Sequence, residues 1–269
     1  MAENEISPPV LGIAWDGTGY GTDGTIWGGE FLTINETSFE RVAHLRPFRL
    51  PGGEKAVREP RRTALGLLYE VLGEKVFERR DLFPVVSFSE AEVATIKKML
   101  ANSINAPVTS SAGRLFDAVA SILGLRECVA FEGQAAMELE FHAAEAVSGN
   151  YDFDLIDDVL DWEPMLRQLI SDIDSGGRPA AISAKFHNTL VEMMVAVAKK
   201  VDLERVALSG GCFQNRYLLE HAVERLTADG FRVYWHQRIP TNDGGISLGQ
   251  IAAAARENSQ QRRKASVCA

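Results

Sequence analysis

The chain has 269 residues, and its 46% hydrophobic content suits one large packed domain or two small ones, which excludes global disorder. Twenty-eight Lys and Arg against 37 Asp and Glu give a formal net charge of −9, so a phosphate-driven grip on nucleic acid has no global electrostatic support and a nucleic-acid partner is not expected. No window approaches the ~20 consecutive apolar residues of a membrane span, and Met1–Pro9 lacks a basic-then-apolar leader pattern, so no membrane partner and a cytoplasmic location are expected.

Val10 to Ile34 reads as strand, glycine loop, strand: VLGIAW, then DGTGYGTDG with four glycines in nine residues, then TIWGGEFLTI. RVAHLRPF is a candidate third strand, and LPGGEKAVREPRR reads as a long loop with a basic cluster. The pattern then turns helical. Leu65, Leu68 and Leu72 follow one face, and Ser89 with Glu92 predicts a capping box ahead of Val93, Ile96 and Leu100. Helices are predicted over Gly113–Leu123, Gln134–Val147, Pro164–Ile173 and Ala180–Lys200. The stretch Asp152–Asp174 holds eight acidic residues and one Arg and reads as a solvated face or loop.

The last third repeats strand, glycine loop, helix: RVALSGG and QNRYLLEHAVERLTADG, then FRVYWH, TNDGG and a helix over Ser247–Arg256. This order predicts parallel strands with ligands at their carboxyl ends, and it nominates Ser209–Asn215 and Asn242–Gly245 as one site. The chain thus divides into 10–60, a glycine-loop β-hairpin region; 61–200, largely helical; 201–256, a βαβα nucleotide-binding unit; and 257–269, a flexible tail.

Three glycine loops follow apolar strands: Asp16–Gly21 with Gly17 and Gly19, Ser209–Gly211 with Gly210, and Asp243–Gly245. Glycines let backbone approach phosphate oxygens closely, so together the loops point to a nucleotide or acyl-phosphate site. DGTGYG taken alone reads equally as a hairpin connection. Asp16 and Asp243 each adjoin such a loop, where a carboxylate either holds a hard cation or caps a turn. Five histidines show no metal-binding spacing, and Cys128, Cys212 and Cys268 form neither a disulfide framework nor a paired-cysteine site. Asp117 either bonds a ligand hydroxyl or tops a helix. Cys212 reads as a small filler more readily than as a nucleophile. Arg58 and Arg61, with Lys55 and Arg62, either grip an anion or form a solvated basic loop.

The segments VLGIAWDGTGYGTDGTIWGGEF, LPGGEKAVREPRR, TSSAGRLFDAVASILGL, FEGQAAMELE, FHNTL, ALSGGCFQN and PTNDGGISLGQ, in that order from about Val10 to Ala255, resemble the C-terminal region of the HypF carbamoyltransferases of NiFe-hydrogenase maturation. The resemblance implies an α/β, actin-like and sugar-kinase-like ATPase fold of the Kae1-like kind, with residues 10–60 a remnant of an incomplete first lobe. It implies transfer of a carbamoyl group from a carbamoyl-adenylate, made from ATP and leaving as AMP, to the C-terminal cysteine of a HypE-like partner. Asp117 would hold the ribose hydroxyls, Gly133 would pack by the nucleoside and Asn215 would contact the nucleotide. Asp16 and Asp243 would ligate a divalent metal (Mg, Zn or Fe), weakly, because the histidine-rich family segment that supplies two further ligands has no counterpart here. The chain is expected to be either a fragment or a short relative whose missing half comes from another chain, and an unpaired edge at Val10–Trp15 would favour a homodimer. The alternatives are a non-catalytic nucleotide-binding docking module and a relative that carbamoylates a hydroxyl or tRNA.

Overall fold

The computed structural model describes the backbone of residues 1–145 and 147–267, and the side chains of these apart from 257 and 259–267. The elements in chain order are β1 (Val10–Tyr20), β2 (Ile26–Ile34), β3 (Phe39–Leu45), β4 (Phe48–Arg49), α1 (Glu54–Arg58), α2 (Pro60–Leu72), α3 (Phe83–Val86), α4 (Glu90–Ala101), β5 (Val108–Thr109) and α5 (Ala112–Ile122). They continue with α6 (Gln134–His142), β6 (Asp154–Ile156), β7 (Val159–Asp161), α7 (Glu163–Asp174), α8 (Pro179–Val201), β8 (Arg205–Ser209), α9 (Arg216–Ala228), β9 (Arg232–Tyr234) and α10 (Ile246–Val267).

One mixed sheet runs in the order β6, β7, β3, β2, β1, β8, β9, with β5 joining β2 and β4. β1 is antiparallel to β2 and parallel to β8, which is itself parallel to β9 through α9. A strand with neighbours on both sides and layers on both faces is apolar throughout, which is why VLGIAW carries no alternation. This position overturns the expected unpaired edge: Leu11–Ala14 pairs with β8 while Val10–Trp15 pairs with β2, so the basis for a homodimer is removed. The first glycine segment is also not the hairpin connection. Strand β1 continues to Tyr20, and the register slips between Trp15 and Gly19, so Asp16–Thr18 form a bulge and the turn lies at Gly21–Thr25.

Two loops expected from composition are structured. LPGGEKAVREPRR contains α1 and the start of α2, where Pro60 occupies the first turn, a position that needs no N–H donor. Within the acidic stretch, β6 and β7 form a hairpin whose central residues, Asp157 and Asp158, both have positive φ, and Arg46 binds Asp161 and Glu163 beside it. The predicted Ser89–Glu92 capping box opens α4. Helix α6 stops at His142 rather than Val147, and α10 runs past Arg256 to Val267; Cys268 and Ala269 lie outside the described residues.

The core joins the sheet to its helices. Trp15 meets Phe31 edge-on and stacks on Phe213, while Phe116 packs against Phe186 and His187. Each such buried ring contributes about 1.5–3 kcal/mol of apolar burial. Every residue of α5 is buried, so this helix runs through the middle of the molecule and packs on α2, α6 and β1. A helix apolar on all sides would need no charges, yet α5 carries Arg114 in its first turn and Asp117 at its midpoint. Among the described residues, no helix is long and apolar enough to cross a membrane.

Candidate functional site

The bulge of β1, the start of α5, the start of α6, the end of β8 and the loop before α10 converge. Asp16, Asn242 and Asp243 form a ridge with a cleft on each side. One cleft, of about 350 Å³, is lined by Gly17, Arg114, Asp117, Glu132, Gly133 and Gly211. It runs into an apolar recess of about 520 Å³ lined by Phe116, Ala136, Met137, Phe141, Cys212 and Asn215. The other, of about 460 Å³, is lined by Gly19, Glu30, Ser209, Gly210, His236 and Glu3.

The sequence nominates all three glycine loops as one site, and the structure divides them. Gly17 and Gly211 face one cleft while Gly19, Ser209 and Gly210 face the other. The β1 bulge parts Gly17 from Gly19, and the chain turns between Gly210 and Gly211 where β8 has ended. Close contacts hold the loops together. Ser111 caps α5 and its Oγ donates to the carbonyls of Asp16 (2.7 Å) and Gly17 (2.9 Å). At Gly210, φ is +110°, and a Cβ there would stand 2.1 Å from the Trp15 carbonyl oxygen, so only glycine fits.

Asp117 is 3% exposed and lies 2.9 Å from Arg114 Nη1. Burial pushes its carboxyl up to about 6, against the pull of Arg114 and helped by the charge of Glu132. Arg114 was not singled out by sequence; the signal was its i, i+3 spacing from Asp117 on a helix otherwise built for burial. Its Nε is buried without a hydrogen-bond partner, its Nη1 is ion-paired with Asp117 without a well-aligned hydrogen bond, and Nη2 lies 3.2 Å from where a Cβ on Gly17 would be. A buried guanidinium with hydrogen-bonding capacity left over beside two glycine loops is suited to an anion.

Asn215 lines the recess, but its side chain is already engaged. Its Oδ1 accepts from Leu218 N–H (2.8 Å) as the cap of α9, and its Nδ2 donates to His187 Nε2 (2.9 Å). Gly133 starts α6 in the left-handed region, φ +76°, at the junction of cleft and recess. Burial, then the Asp16 carboxylate, push the Cys212 thiol well up, which fits a filler and not a nucleophile.

Arg58 and Arg61 are corrected. Neither lines the clefts: Arg58 pairs with Glu54 on the surface, and Arg61 binds Glu59 and the Ser87 carbonyl and covers the Phe88 ring. The carboxylates near them in sequence neutralise them, which disfavours the anion-gripping one of the two readings.

Asp16 and Asp243 line the same two clefts, but Asp16 Oδ1 already accepts from Gly17 N–H at 2.7 Å. Among the described residues no three His, Cys, Asp or Glu side chains gather where they could hold a metal ion. Two carboxylates supply too few of the ligands a divalent cation takes, so this donor set does not by itself fit a metal.

The chain matches the family described as carbamoyltransferase, Kae1-like domain, second subdomain, over residues 12–250. It is 40% identical over 271 residues to carbamoyltransferase HypF of Synechocystis sp., covering 94% of this chain and 35% of that protein. A carbamoyltransferase HypF homolog of Cupriavidus necator is 40% identical over 271 residues, covering 96% of this chain and 68% of the homolog. The solved structure of a full-length HypF in a phosphate- and nucleotide-bound form superposes with a TM-score of 0.87 at 44% identity, covering 96% of this chain and 41% of that one. The chain spans 35% and 33% of the first two curated relatives it matches. It has the mixed α/β architecture of the Kae1-like, actin-like fold, and by sequence and structure it belongs to the HypF carbamoyltransferase family.

Proposed function

We propose that this chain binds an adenylate in the cleft between β1, α5 and β8, and transfers a carbamoyl group from carbamoyl-adenylate to the C-terminal cysteine of a HypE-like maturation protein. The observation that carries the reading is Arg114, a buried guanidinium that is ion-paired with Asp117 on one side and keeps an unpartnered Nε in the cleft lined by Gly17 and Gly211. A phosphate placed there meets a fixed positive charge and backbone that no side chain obstructs. Asp117, one helical turn further along α5, accepts from ribose hydroxyls, and the recess of Phe116, Met137 and Phe141 takes the base.

In the transfer, a thiolate forms the new S–C bond, the carbonyl–phosphate bond breaks and AMP leaves. Its phosphate keeps the electron pair, and Arg114 stabilises that charge as it develops. The carbamoyl-adenylate comes from the adenylate-forming chemistry of other domains, in the same protein or supplied in trans.

Calorimetric titration with AMP and ATP tests the reading. Saturable binding is expected, weakened by about 1.5–3 kcal/mol in Asp117→Ala. Binding of neither nucleotide would remove the reading from this chain, and binding without carbamoyl transfer to a HypE-like cysteine would leave a docking module.

A further inference from the structure

The second cleft contains an arrangement that adenylate binding does not use. Ser209 Oγ lies 3.1 Å from His236 Nε2, and His236 Nδ1 lies 2.9 Å from Glu3 Oε2. All three line the cleft beside Asp16 and Asp243. The Glu3 side chain is 3% exposed and accepts from the peptide N–H groups of Gln237 (2.9 Å) and Arg238 (2.5 Å). Arg238 also returns a hydrogen bond to the Glu3 carbonyl, so the first turn of the chain is fastened to the segment after β9. Burial raises the Glu3 carboxyl, but the two N–H groups and His236 outweigh it and bring it down to about 2, so it is a fixed anion.

A carboxylate at Nδ1 holds the proton on that nitrogen and leaves the Nε2 lone pair facing the Ser209 hydroxyl. Ser209 is exposed at the carboxyl end of β8, where α/β sheets present reacting groups. The residue after it is held rigidly: Gly210 exchanges hydrogen bonds with Thr241 (N–H to carbonyl 3.0 Å, and Thr241 Oγ1 to the Gly210 carbonyl 3.0 Å).

We propose that Ser209, His236 and Glu3 act as nucleophile, base and orienting carboxylate, and that Ser209 accepts a carbamoyl group from an activated carbamate. The serine oxygen attacks the carbonyl carbon while its proton passes to His236 Nε2. The bond to the leaving oxygen then breaks, and that oxygen takes the proton back from Nε2. The products are a carbamoyl-serine ester and the free leaving group. The choice of a carbamoyl group rests on the transfer reading above; the activation of Ser209 does not.

The test uses para-nitrophenyl dimethylcarbamate and no nucleotide, so its outcome is independent of adenylate binding. The full chain is expected to release one equivalent of nitrophenolate and to carry the dimethylcarbamoyl group on the Ser209 peptide. Ser209→Ala, at an exposed position, should keep its fold by circular dichroism and lose that label. His236→Gln should slow labelling by about 100-fold or more, as loss of a general base does. Glu3→Gln should slow it by up to about 10⁴-fold and shift the His236 tautomer in nitrogen NMR with the remaining spectrum retained. No label, a label only on Cys128 or lysines, or a label on Ser209 at an unchanged rate in His236→Gln and Glu3→Gln would overturn the proposal.

Discussion

Gly113 of α5 and Gly17 of β1 lie backbone against backbone: a Cβ on Gly113 would stand 2.7 Å from the Gly17 Cα and 3.0 Å from its nitrogen. This contact brings the buried helix to the bulge that carries Asp16. Gly113→Ala should force the two apart, at a cost of about 1–3 kcal/mol by overpacking. Urea unfolding should report that loss, and AMP affinity should fall with it. Full stability in the variant would show that the bulge yields easily.

Arg114 serves the phosphate in the proposed reading and not the nucleoside. Arg114→Gln should therefore weaken AMP by about 1.5–3 kcal/mol, the range for a hydrogen bond to a charged group, while adenosine binding stays nearly unchanged. Calorimetry with both ligands separates the two contributions. An equal loss for adenosine and AMP would assign Arg114 to holding Asp117 in place.

Asp117 and His187 oppose each other on acidification. The folded Asp117 carboxyl is raised to about 6 from 3.8, so within that window the folded chain binds a proton the unfolded chain has released. Its contribution is therefore most favourable below the window and is lost as pH rises through 6, amounting to roughly 3 kcal/mol at ~1.4 kcal/mol per unit. Burial lowers the His187 imidazole to about 4 from 6.5, against the Ser183 hydrogen bond and helped by His221. That contribution is present above 6.5 and lost as pH falls towards 4. In Asp117→Asn only the second slope remains, so this variant should lose stability between pH 6.5 and 4 more steeply than the unsubstituted chain. Parallel stability–pH curves would refute the raised Asp117 carboxyl.

Asp16 and Asp243 share a ridge without a third ligand among the described residues. The dialysed chain should retain well under one equivalent of zinc or iron by elemental analysis, and Asp243→Ala should leave the metal content unchanged. Stoichiometric metal surviving dialysis would mean that further ligands assemble in solution.

Much of the architecture could be read from local pattern. The apolar run of β1, the capping box of α4 and the repeated strand, glycine loop and helix after Val201 are all signals within a few residues, and all recur in the fold. Two readings failed for a shared reason. Arg58 and Arg61 look like an anion site until Glu54 and Glu59 are placed against them, and Val10–Trp15 looks like an open edge until β8 arrives from almost 200 residues away.

The sequence by itself determined the opening strands, the main helices, the repeated strand, glycine loop and helix of the last third, the family and the glycine loops, because periodicity, capping and turn chemistry act over short spans. Only the tertiary structure decided which loops face which cleft, that Arg114 is buried beside Gly17, and that Glu3 meets His236 and Ser209. Those relationships depend on the bulge of β1 and on its parallel pairing with β8. Side chains more than 200 residues apart come within hydrogen-bonding distance only once that sheet has closed.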